Sequence, residues 1–268
     1  MTHHDNIPVW EVEILVIGPL SIKNPINFNA RKELEHPEPF YSNISIINNE
    51  NGFLATVTAF ASNSDLAEKA AIIFFGRMLD VLSLNLNLSL QLDIAKNVIV
   101  QKSSQNVRRI VDRQDFVDAF FQSRILSLTE TTFLRSLSWF RKGKHSQDPL
   151  DKFLAFWNSI ETVASRYNPN KDACKGKGSK CHIWESFKKV WGECDKWEFI
   201  AGKTKWIDEC NEHRKNIAHG IIPIEVDYIE KIVNILPEVE NIALKFLTNW
   251  KETEINVEPT DDLIKQLK

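Results

Sequence analysis

"DPLDKFLAFWNSIETVASRYN", residues 148 to 168, is the stretch whose reading decides the fold. Asp148 followed by Pro149 is a helix start, because an acidic cap satisfies free first-turn N–H groups and proline sits where no N–H is required. Behind it Leu150, Phe153, Leu154, Trp157, Ile160 and Val163 recur at helical spacing. The same period holds on both sides, from about Asp112 onward. "DRQDFVDAFFQSRILSL" and "ETTFLRSLSWFRKG" precede it. "IWESFKKVWGECDKW", "TKWIDECNEHRKNIAHG" and "VDYIEKIVNILPEVENIALKFLTNW" follow it, with Pro237 expected to kink the last. The Gly/Lys-rich "PNKDACKGKGSK" between them reads as a loop.

Upstream the pattern is mixed. "VWEVEILVIG" is β-rich and ends at the turn signal Gly18-Pro19. "SNISIINNENGFLATVTAFA" reads as a hairpin about Asn48 to Gly52. Ser62, Ser64 or Asp65 is expected to cap the helical run "LAEKAAIIFFGRMLDVLSL". "LSLNLNLSLQL" alternates strictly and is expected to be a strand with one wet face. The expected fold is therefore α+β: a mixed region over residues 1–105, then an all-helical bundle over 106–268 with an acidic tail.

The 268 residues suffice for a sizeable core, and 43% apolar content with eight tryptophans argues against disorder. A formal charge of −3 makes the whole molecule no general nucleic-acid binder. The charge is uneven, however: Lys171 to Lys189 holds six lysines against Asp172 and Glu185, while acids dominate beyond Glu225. Solvated faces explain most such runs, and a local anion site is the sharper alternative. No run reaches the roughly 18 apolar residues of a membrane span, and the N-terminus does not read as a signal peptide. A cytoplasmic chain is expected, with Cys174, Cys181, Cys194 and Cys210 as reduced thiols.

The segment "NEHRKNIAHGIIP", residues 211 to 223, carries the candidate chemistry. The apolar stripe leading into it is Trp206, Ile207 and Cys210, then Ile217 and Ala218, and four residues past Cys210 stands Arg214. A buried cation needs a partner, a cleft or a second chain. Five residues on a helix turn about 500°, so Arg214 and His219 project about 140° apart unless the helix ends near Ala218 or a partner chain supplies one of them. Gly220 is placed to end it.

An Arg-x-x-x-x-His pair before a glycine, one helix from the end of a helical bundle, resembles the HEPN superfamily. The matching text is "RKNIAHG", Arg214 to Gly220. "FLAFWNSIETVASRY", residues 153 to 167, resembles the aromatic-Trp-Glu helix of its ApeA-like branch. The resemblance covers about residues 112–250. It implies an endoribonuclease of toxin or antiviral defence type, without metal or cofactor, whose two motifs meet across a homodimer; RNA is the implied substrate and a regulatory or antitoxin protein a further partner. His219 would transfer protons, Arg214 would clamp phosphate and Asn216 would orient either one. The assigned groups suit the task, since imidazole titrates near neutrality and guanidinium offers phosphate a planar fork. Active members often carry a small polar residue after the arginine, where this chain has Lys215. A non-catalytic dimerisation or binding module is the alternative, with Arg214 paired to Glu161 or another bundle acid and His219 bonded to carbonyls at the helix end.

Lys215 and the loop lysines Lys175, Lys177 and Lys180 are candidate RNA contacts if the loop lies beside Arg214. Cys174, Cys181 and His182 are loose candidates for zinc: six residues separate the first pair, wider than usual ligand spacing. Cys194 and Cys210 read as small core residues. Trp184, Trp191 and Trp197 recur at helical spacing, which favours core packing over base stacking. His3, His4, His36 and His145 carry no pattern.

Overall fold

The computed structural model describes residues 8–31, 41–93, 109–221, 223 and 225–255. The chain is α+β, with an antiparallel sheet toward the N-terminus and helices toward the C-terminus. It forms two compact units, one running through Ile125 and the other from Leu126. The boundary expected near residue 105 lies outside the described residues, as do His3, His4, His36 and the acidic tail past Ile255.

In the first unit, β1 (Val9–Ile17) pairs with β5 (Gly52–Phe60), β5 with β4 (Tyr41–Asn49), and β4 with β3 (Ile26–Arg31), all antiparallel. The short β6 (Gln91–Asp93) joins the other edge of β1. β4 and β5 form the expected hairpin, Asn49 facing Gly52. A parallel pair not signalled by the sequence, β2 (Leu20–Ile22) with β7 (Arg109–Val111), makes a second small sheet. The alternation along β1 and β5 sends Ile14, Val16, Ala55 and Val57 to one buried face. Phe53, Phe75, Phe116 and Phe120 meet edge to face at 5.3–6.2 Å in the same core.

Two expectations fail here. The cap of α1 (Ser64–Leu86) is Asn63, whose side chain accepts from the Leu66 N–H, rather than Ser62, Ser64 or Asp65. The alternating "LSLNLNLSLQL" is mostly not strand: α1 continues through Leu86 and ends at Asn87 in the left-handed region, leaving only Gln91–Asp93 to pair. The reason is burial on every side. Asp80 through Leu84 are all buried, so leucine and serine alternate inside a helix with no wet face to mark.

The second unit is helical. After α2 (Arg113–Thr129), which leads into it, come α3 (Thr131–His145), α4 (Pro149–Tyr167), α5 (Ser179–Trp191), α6 (Trp206–His219) and α7 (Val226–Glu254). The Asp148 carboxylate caps α4 as expected, accepting from Leu150 and Asp151 N–H groups. α4 is the hub, packed against α3, α5, α6 and α7. Its buried surface is correspondingly broader than one stripe, adding Ala155, Phe156 and Ser159. α5 stops at Gly192 rather than running on to Trp197; a 3₁₀ turn, Cys194–Lys196, follows. Trp197 is buried against Phe187 and the half-buried Trp184, so its ring belongs to the core. α7 is helical through Pro237. Among the described residues no helix is long and apolar enough to cross a membrane.

Candidate functional site

The site is built at the C-terminal end of α6. Trp206, Ile207, Cys210 and Asn211 bury its first half, and acids at Asp208 and Glu209 suit the positive end of its dipole. The apolar stripe does not continue as expected: Ile217 is half-buried and Ala218 exposed, so the second half stands clear of the bundle. Gly220 ends the helix with φ 59°, a conformation glycine adopts without cost. The Asn216 carbonyl accepts from the Gly220 N–H and, at 3.3 Å, from Ile221.

Arg214 is half-buried and has two partners. Its Nε lies 3.6 Å from Glu161 Oε2 on α4, the side chains being 29% and 19% exposed. Its Nη1 lies 3.5 Å from His219 Nε2. The helix ends at His219, one residue past Ala218, with Gly220 capping it as expected, and the long arginine stem reaches the histidine at that end. Guanidinium only donates; the contact is a hydrogen bond when His219 Nε2 carries its lone pair. The ion pair with Glu161 answers the question raised by a cation in the stripe.

His213 and Tyr228 complete the cluster, and the sequence had given them no part in it. Tyr228, in the first turn of α7, places its hydroxyl 3.1 Å from His213 Nδ1. Burial lowers the pKa of His213, with Lys231 adding to it and Glu209 and Glu212 opposing. Burial raises that of Tyr228, against a hydrogen bond from Asn216. A tyrosine just past the turn that follows the motif was the available signal.

The lysines are spread out. Lys215 is exposed, 3.8 Å from Glu212. Lys175 and Lys177 are exposed on the loop. Lys180 is ion-paired with Asp208, six residues or about 9 Å of helix before Arg214. That contact holds Lys180 toward the start of α6, away from the His219 end.

The cysteines overturn one expectation. Cys174 and Cys181 form a disulfide, Cα atoms 5.4 Å apart, rather than standing as reduced thiols or zinc ligands. Successive turns, from Cys174 N–H to the Lys171 carbonyl and Lys177 N–H to the Cys174 carbonyl, fold the loop back and bring them together. His182 Nδ1 is 2.6 Å from the Asn168 amide. Among the described residues no group of three or more His, Cys, Asp or Glu could hold a metal ion. Cys194 and Cys210 are free and buried, as expected of core residues, and burial pushes the Cys210 thiol up.

No family model, curated protein or solved structure matches the chain.

Proposed function

We propose that the chain is a HEPN-type endoribonuclease, a cytoplasmic homodimer that cleaves RNA in a toxin or antiviral defence setting. The observation that carries this reading is the approach of Arg214 to His219 at the exposed end of α6. The ribose 2′-oxygen attacks the adjacent phosphorus and gives up its proton. The bond from phosphorus to the 5′-oxygen breaks, that oxygen takes up a proton, and a 2′,3′-cyclic phosphate remains. This chemistry needs proton transfer and anion stabilisation, not an added nucleophile. His219 moves the proton, Arg214 meets the phosphate, and Asn216 orients the helix end. A second protomer supplies the second imidazole. Apolar residues exposed beside the motif, Ile221 (59%), Val226 (69%) and Val233 (47%), suit a protein partner. Lys215 guides the RNA backbone by charge.

The Glu161–Arg214 ion pair favours a second reading, a non-catalytic binding module in which Arg214 is structural. RNA cleavage in EDTA by wild type and His219→Ala separates them. Cyclic-phosphate ends made by wild type alone are the expected result. Equal cleavage by both proteins, or by neither across several RNA types, sinks the catalytic assignment.

A further inference from the structure

We propose that Tyr228 is a positioning residue for the Arg214–His219 pair, an inference that rests on reading that pair as the working site. A regular helix points the two side chains about 140° apart. Their meeting therefore depends on the last turn of α6 keeping one shape. The Tyr228 hydroxyl lies 3.1 Å from His213 Nδ1 and 3.5 Å from the His213 carbonyl. His213 is the residue before Arg214. Asn216 is the residue whose carbonyl collects the Gly220 and Ile221 N–H groups and ends the helix. One hydroxyl thus ties the residue before Arg214, by ring and by backbone, to a second helix.

The bonding capacity fits. A phenol has one proton to give and lone pairs to accept with. It donates to His213, at the ring nitrogen or, when that nitrogen carries the proton and donates to the phenol, at the carbonyl. His213 is fixed in turn, its ring edge-on to Phe153 at 6.2 Å. Phe153 belongs to α4, the helix that brings Glu161 to Arg214. Helices α4, α6 and α7 therefore converge on the residues flanking Arg214. Removing the hydroxyl leaves the Tyr228 ring packed against His213, at 5.6 Å between centroids, and frees the turn. Such a change acts on the alignment of His219 rather than on RNA affinity, so it falls on kcat and spares KM.

The test is Tyr228→Phe in the full chain, read in three ways. Melting temperature reports the fold. The His219 ring resonance by NMR, assigned through its loss in His219→Ala, reports geometry without any reaction. RNA cleavage in EDTA reports kcat and KM. The expected result is a Tm within about 3 °C of wild type, a displaced His219 resonance, and kcat down roughly tenfold with KM unchanged. An unmoved His219 resonance, or an unchanged kcat in an active enzyme, overturns the proposal. If wild type cleaves no RNA while the resonance still moves, the ribonuclease reading fails and the positioning role stands. Should Tyr228→Phe not fold, His213→Phe removes the ring nitrogen at the other end of the bond, and an unmoved His219 resonance there overturns the proposal equally.

Discussion

At the scale of single residues, His213 is the group whose environment has the clearest thermodynamic consequence. Burial holds its pKa below the ordinary imidazole value, as it does for His145 at the end of α3 with help from Arg141. Just below neutrality the unfolded chain then binds more protons than the folded one. Stability rises with pH in that window and falls as pH drops through the unfolded value of about 6.5 toward the lower folded values. Tm measured between pH 7.5 and 5.5 should fall for wild type and fall less steeply for His213→Gln; parallel lines would remove His213 from the account. The neighbouring Arg214 teaches a different lesson. Its charge at a position expected to be apolar was legible from spacing, and the sequence offered Glu161 as one of several bundle acids able to pair with it. The guanidinium's reach to His219 could not be read there, because it depends on a rotamer and on the shape of the last turn, which helical phase alone does not give.

At the scale of elements, close approach is set by what is missing from a side chain. Gly143 on α3 packs over Phe156 of α4, and a Cβ built there would lie 2.8 Å from two ring atoms. Phe156 is fully buried and also packs on Phe140 at 5.5 Å, so it has little room to turn aside. Gly143→Val should cost about 1–3 kcal/mol by overpacking, despite valine's better helix propensity. Urea unfolding checks it, and a midpoint equal to wild type would mean the helices separate freely. Elements with a wet face or a cap were readable: the β4–β5 hairpin, the Asp148 start of α4 and the helical period after Asp112. Elements enclosed on all sides were not. The end of α1 imitates a strand because burial removed the polar face by which a helix is recognised, and β2 with β7 are too short to carry a period.

At the scale of the whole molecule, the α+β division followed from where the apolar period changes, while the Cys174–Cys181 bridge did not. Spacing alone could not distinguish thiols, ligands and a disulfide, since only the folded loop shows the two sulfur atoms meeting. Closing a loop of this length restricts the unfolded chain by about 2.5 kcal/mol in the chain-entropy view. Cys174→Ser should lower stability by about that much, and a reductant should do the same to wild type but nothing further to the variant. Equal stability of the two proteins would show that the bridge contributes nothing. A last consequence follows from Pro237, which has no N–H to offer the Val233 carbonyl. Ahead of it, of the α7 residues only Ile232 is buried; beyond it Val239, Ile242, Ala243, Phe246, Leu247 and Trp250 all are. The proline therefore divides one long helix into two stretches of unequal opening free energy. The weaker stretch is the one that carries Tyr228. How often the end of α6 loses its tie is thus set by a local opening equilibrium at the start of α7, which can shift without any change in the stability of the protein as a whole.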